Sequence, residues 1–170
     1  QLLGAALEKN VASDVVIAQS LAQSRELWQV RESISSAQAA EGLNIKHDIS
    51  LPVSAIAAFV KQTDAALAQA LPGIRVVNFG HLGDGNLHYN IFPAQGRSKA
   101  EYVTRRDEIK RAVHDISHDL GGSHSAEHGI GRLKVQDLIT YGDPVKIAMM
   151  REIKRVLDPV GILNPGAVLG

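Results

Sequence analysis

The chain reads as an α+β protein, an antiparallel sheet with helices packed on one face. Two observations predict this. Strand-like alternation and helical apolar stripes follow one another along the chain. The two clearest strands, Ile74 to Phe79 and Leu87 to Phe92, flank an Asp84-Gly85 pair suited to a tight hairpin. A hairpin makes the pairing antiparallel and argues against a doubly wound parallel sheet.

The elements follow in order. Residues 1–10 look like a helix end, and residues 11–20 hold the β-branched run Val15-Val16-Ile17. A helix is predicted over 20–41, with Leu21, Leu27, Trp28 and Ile34 apolar and Gly42 as its stop. Residues 43–51 alternate as a strand, with Leu43, Ile45, His47, Ile49 and Leu51 on one face and Asn44, Lys46, Asp48 and Ser50 on the other. Pro52 opens a second helix, striped by Ile56, Phe59, Val60 and Leu67 and ended by Leu71-Pro72-Gly73. After the hairpin a loop (93–98) leads to a third helix, 99–120, whose apolar face is Ile109, Val113, Ile116 and Leu120. Gly121-Gly122 ends it, and 123–130 is extended or irregular. A short helix near 133–140 and a longer one from Asp143-Pro144 to Leu157 precede a turn-rich tail that docks on the body.

With 170 residues, 45% apolar and 21% charged, the chain is expected to form one soluble domain over 1–170. Its 18 basic and 18 acidic residues cancel, so no global field favours nucleic acid or anionic lipid. No stretch approaches the roughly 20 apolar residues of a membrane span. Cysteine is absent, which leaves His, Asp, Glu, Asn or water for any metal and fits a reducing, cytoplasmic compartment. The opening Gln1-Leu2-Leu3-Gly4 reads like the inside of a longer polypeptide.

The hairpin carries the chemistry. With Asp84 and Gly85 as a two-residue turn, Gly83 pairs with Asn86, Leu82 with Leu87, His81 with His88 and Phe79 with Asn90. Opposed Cβ atoms lie about 4.5–5.5 Å apart, close enough for His81 and His88 to share one metal ion. Glu127, in Ser125-Ala126-Glu127-His128-Gly129-Ile130-Gly131, is a third ligand candidate. Its neighbour His128 diverges from it in an extended segment, so one can ligate while the other faces a reacting atom. Gly129 and Gly131 permit close backbone approach. Of the other histidines, His47 belongs to the apolar face of its strand. His114 and His118 fall opposite the third helix's apolar stripe and are expected in solvent, and His124 is cut off from an i,i+4 chelate by Gly121-Gly122. Trp28, Arg31 and Ser35 share one helical face, and Arg31 with Lys46 could bind one or two carboxylates. The glycines from Gly80 to Gly85 lack the Gly-Lys-Ser/Thr ending of a P-loop and precede a strand.

Five segments in order then resemble the C-terminal domain of FAD-linked oxidases of the vanillyl-alcohol-oxidase type, in the branch of D-2-hydroxyglutarate and D-lactate dehydrogenases and the glycolate oxidase flavin subunit. They are Trp28-Gln29-Val30-Arg31-Glu32, Lys46-His47-Asp48-Ile49-Ser50-Leu51-Pro52, Gly80-His81-Leu82-Gly83-Asp84-Gly85-Asn86-Leu87-His88, Glu127-His128-Gly129-Ile130-Gly131, and Leu157-Asp158-Pro159 with Gly161-Ile162-Leu163-Asn164-Pro165-Gly166. The resemblance implies a ferredoxin-like cap beside a separate FAD-binding domain, which holds most of the flavin. It implies a divalent ion, usually zinc, on His81, His88 and Glu127, and His128 as the base for the substrate hydroxyl. It further implies Arg31, Lys46, Ser35 (threonine in a relative) and Asn90 as contacts to a small 2-hydroxy acid, and Asn164 near the flavin. The reaction implied is oxidation of a D-2-hydroxy acid to the 2-keto acid, with the isolated cap inactive and able to self-associate, and the complete enzyme able to associate peripherally with a membrane. A metal-dependent hydrolase and a non-catalytic module are the competing readings of the same residues.

Overall fold

The alternation from Ile45 to Leu51 becomes burial: Ile45, His47, Ile49 and Leu51 are all buried and pack towards the helices. The computed structural model describes the chain apart from Leu43, Leu82 and Ser98 and the side chains of Lys99 and Glu101. The expected places of Leu43 in its strand and of Leu82 opposite Leu87 lie outside the described residues. Two compact units form, Gln1–Gly42 and Leu43–Gly170.

The first unit holds α1 (Leu2–Glu8), α2 (Leu21–Glu32) and α3 (Ile34–Glu41). The Val15-Val16-Ile17 run is irregular. Ser20 starts α2, its side-chain oxygen accepting the Gln23 N–H at 3.2 Å. The helix predicted over 20–41 is broken at Ser33, whose hydroxyl donates back to the Val30 carbonyl at 3.0 Å. Arg31 lies in the last turn of α2 and Ser35 in the first turn of α3, so they do not share one continuous helical face as expected.

The second unit is built on β1 (Asp48–Ser50), β2 (Arg75–His81) and β3 (Asn86–Phe92), an antiparallel sheet in the order β1-β3-β2. A 3-10 turn at Val53–Ala55 leads into α4 (Ile56–Ala70). The third predicted helix is two, α5 (Lys99–Thr104) and α6 (Arg106–Asp119). They part at Arg105, whose guanidinium donates to the Ala70 carbonyl at the end of α4 (3.0 Å) and to Glu108. Then come α7 (Val135–Tyr141) and α8 (Pro144–Leu157), which Asp143 caps by accepting the Val145 N–H at 2.8 Å. The tail docks as expected: Val168 N–H donates to Gly131 O at 2.6 Å and Arg132 Nε to Pro165 O at 3.2 Å.

The sheet separates two environments. Leu87, Tyr89 and Ile91 of β3 face α4 and α6, where Phe59 meets Tyr89 edge-on at 5.5 Å between ring centroids. Asn86, His88 and Asn90 alternate onto the opposite face with Asp48.

The hairpin register differs from the expectation. His81 pairs with Asn86, Phe79 with His88 and Val77 with Asn90, so that Gly83, Asp84 and Gly85 fall in the connection and not in the ladder. Asp84 and Gly85 are the end of this wider turn, not its centre. The Asp84 carboxylate accepts the Asn86 N–H at 3.0 Å, and the Gly85 N–H donates to His81 O at 3.0 Å. Gly85 has φ +79, and a Cβ there would stand 1.9 Å from the Leu51 carbonyl oxygen. Gly85→Ala is therefore expected to cost at least about 3 kcal/mol, read as a lowered thermal midpoint, and an unchanged midpoint would refute the packing.

His114 is the clearest departure on α6. It is 2% exposed, because α7 and the 123–130 segment cover a second side of the helix. Its ring lies 5.6 Å from His47, 5.9 Å from His124 and 6.0 Å from Tyr141. His118 stays exposed, as expected. Burial pushes His47 down to about 3, although its Nδ1–H donates to the Tyr89 carbonyl, and pushes His114 down to about 4 against the pull of Asp137. The unfolded chain takes up these protons near pH 6.5 and the folded chain does not. Stability is thus full above that pH and falls as the solution is acidified towards pH 4. Each group costs about 1.4 kcal/mol per pH unit. The urea midpoint should fall between about pH 6.5 and 5, and His114→Leu should flatten that slope.

Candidate functional site

Three segments meet on the polar face of the sheet. β1 brings Asp48, β2 and β3 bring His81 and His88, and the segment after α6 brings Glu127 and His128. That segment runs along the edge of β1: Ser50 and Ser123 exchange backbone hydrogen bonds of 3.0 and 2.8 Å, and Ala126 N–H donates to Asp48 O at 3.1 Å. It is held from behind by Lys134, whose Nζ donates to His124 O (3.2 Å) and Ser125 Oγ (3.0 Å). The Ser125 hydroxyl donates to Gly129 O at 2.8 Å. Gly129 and Gly131 have φ of +67 and +54 and nothing within 4 Å of an added Cβ. They supply left-handed backbone and leave open space beside it.

Glu127 bridges the two hairpin histidines. Its Oε1 lies 3.6 Å from His81 Nδ1 and its Oε2 3.7 Å from His88 Nε2. Two ligand atoms on one tetrahedral ion, each about 2.1 Å from it, lie roughly 3.4 Å apart, a separation that each of these two pairs approaches. The imidazoles are perpendicular, with centroids 6.4 Å apart. Among the described residues, the group whose ligand atoms all lie within 4.8 Å of one another is Asp48, His88 and Glu127; His81, expected as a ligand from the sequence, is not part of it.

Asp48 was not singled out by sequence, yet the site is organised around it. Its side chain is 5% exposed, its Oδ2 accepts the N–H groups of Glu127 and His128, each at 2.9 Å, and its Oδ1 accepts Asn86 Nδ2 at 3.1 Å. Burial alone would raise its pKa. The backbone N–H groups of His128 and Glu127 outweigh that and hold the carboxyl below its usual range. His88 is lowered by burial, against the pull of Glu127 and Asp48, and so favours the neutral form that can bind a metal. The signal for Asp48 was its place on the polar side of a strand whose other side is core. That the side chain is buried follows only from residues 123–128 covering it.

Lys46 and Asn90 share this face. Ile45 bridges Ile91 and Asp48 pairs with His88, so the same register sets Lys46 opposite Asn90, two residues along β3 from His88. Arg31 and Ser35 belong to the Gln1–Gly42 unit. Asn164 is exposed in the tail, with φ +47.

A profile of the FAD linked oxidases, C-terminal domain, matches residues 1–168. The chain belongs to that family. This oxidase domain is 43% identical over 160 residues to a D-2-hydroxyglutarate dehydrogenase of Xanthomonas citri pv. viticola, covering 94% of this chain and 34% of that protein. It is 40% identical over 163 residues to a mitochondrial D-2-hydroxyglutarate dehydrogenase of Arabidopsis thaliana, covering 96% of this chain and 28% of that protein. A mitochondrial enzyme of the same name from Danio rerio is 37% identical over 168 residues, covering 97% of this chain and 30% of that protein. The oxidase domain spans about a third of the length of the curated relatives it matches. Among its described residues no helix is long and apolar enough to cross a membrane.

Proposed function

We propose that this chain is the substrate-binding cap of an FAD-dependent dehydrogenase that oxidises a D-2-hydroxy acid, such as D-2-hydroxyglutarate, to the 2-keto acid. The observation that carries the reading is Glu127 standing 3.6 and 3.7 Å from His81 and His88, with His128 next in sequence. His81, His88 and Glu127 would hold a divalent ion, a donor set suited to zinc, manganese or iron, with zinc our choice. When bound, the ion supplies Lewis-acid stabilisation of the negative charge developing on the substrate oxygen, and FAD supplies the hydride acceptor that no side chain can provide.

The chain's own residues do the rest. His128 takes the hydroxyl proton. Lys46 binds a substrate carboxylate from the face it shares with Asn90, and Arg31 and Ser35 are the further substrate contacts of this reading, Arg31 for the second carboxylate. Two cations suit a dicarboxylate. Asn164 lies near the flavin in this reading. The similarity to dehydrogenases favours redox chemistry over hydrolysis of an ester or amide. A flavin-binding domain is the partner, and the exposed stripe Val145, Met149, Ile153 and Val156 on α8 is an apolar surface available for it, or for self-association of the cap alone. The lack of cysteine suits a cytoplasmic location.

The test is made on the polypeptide carrying both cap and flavin domain. D-2-Hydroxyglutarate should bleach the flavin absorbance, D-lactate should do so less well, and a chelator should abolish it. A flavin left oxidised by every D-2-hydroxy acid would overturn the proposal.

A further inference from the structure

We infer that Asp48 is a positioning residue that sets the tautomers of two histidines at once, His88 and His128, and is not itself a metal ligand. The inference builds on the proposed function for what those histidines do. It rests on which ring nitrogens face the carboxylate. His88 turns Nδ1 towards Asp48 Oδ1 at 3.9 Å and Nε2 towards Glu127 Oε2 at 3.7 Å. Asp48 and Glu127 therefore lie off opposite nitrogens of one imidazole. A metal held by Nε2 would be on the Glu127 side of the ring, with Asp48 nearer the other nitrogen, although ligand atoms of all three residues lie within 4.8 Å of one another. His128 likewise turns Nδ1 towards Asp48, at 3.4 Å from Oδ2.

A carboxylate facing Nδ1 favours the proton on that atom and leaves the lone pair on Nε2. For His88 that is the nitrogen beside Glu127, giving a carboxylate–histidine–metal relay. For His128 it is the nitrogen free to accept a substrate proton, the arrangement in which a buried carboxylate orients a general base. Hydrogen bonds of this kind are commonly long before a site is loaded. Asp48 already accepts two backbone N–H groups and the Asn86 amide, and its contacts to the two rings, at 3.9 and 3.4 Å, are longer than these. Those backbone bonds anchor the peptides that carry Glu127 and His128, so one side chain fixes the loop and aims two rings.

The test reads ring nitrogens directly, by two-dimensional proton–nitrogen NMR of the histidines in this chain, without flavin or substrate. His88 and His128 are expected as Nδ1–H tautomers in the unsubstituted chain; finding both as Nε2–H would overturn the inference before any variant is made. In Asp48→Asn the amide oxygen can keep a backbone N–H while the NH2 group faces the rings. Both tautomers should shift towards Nε2–H, and zinc affinity should fall about 10–100-fold through His88. Unshifted tautomers with a lost zinc site would make Asp48 a ligand and reject the inference. In the flavin-bearing polypeptide saturated with zinc, the same variant should lower kcat about 10–100-fold with KM little changed. Inactivity of the unsubstituted enzyme would count against the proposed function and leave the NMR result standing.

Discussion

Glu127→Gln is expected to weaken zinc binding to this chain by at least about 100-fold, the largest loss from any single ligand. The carboxylate spans the gap between His81 and His88, one oxygen to each. Glutamine keeps the shape but offers one neutral oxygen and a donor that repels a cation. His81→Ala should cost less, about tenfold or more, because His81 is 45% exposed whereas His88 is 19% exposed and better held. Competition against a chromogenic chelator measures both, with metal content by plasma mass spectrometry beside it. An affinity for Glu127→Gln within threefold of the starting chain would remove Glu127 from the proposed site.

The second large effect is catalytic. In the flavin-bearing polypeptide, His128→Ala should lower kcat for oxidation of the 2-hydroxy acid about 10²–10⁴-fold, the usual worth of a positioned base. Zinc content should stay unchanged, because His128 is not among the proposed ligands and turns Nδ1 towards Asp48. Rapid-mixing measurement of flavin reduction separates the chemical step from binding. A rate within tenfold of the unsubstituted enzyme would assign the proton to another group.

What the sequence made legible was local. Ile45, His47, Ile49 and Leu51 alternate, and every one is buried. Gly42 and Asp143-Pro144 bound helices where expected. Glu127 does come to 3.6 Å from His81 and 3.7 Å from His88. What escaped depended on contacts between distant segments. His114 looked solvent-facing because a helix covered on two sides has no single apolar stripe. Asp48 looked like one more polar residue until the 123–128 segment sealed it. The break at Ser33 turns on one hydroxyl bonding back to the chain, a competition that apolar spacing does not reveal.

The connection between His81 and Asn86 has a consequence for how this site could change over time. Side chains on a strand alternate, so one inserted or deleted residue in 82–85, with β2 held in place, would turn His88 into the helix-packed interior and bring its apolar neighbour out. A change of two residues would keep His88 on the open side but carry it two places along the ladder, away from Asp48, its partner on β1. Any shift of this hairpin's register therefore dismantles the site, in odd and even steps alike. A drifting lineage can lengthen the connection only where the extra residues bulge outward and leave the pairing unchanged.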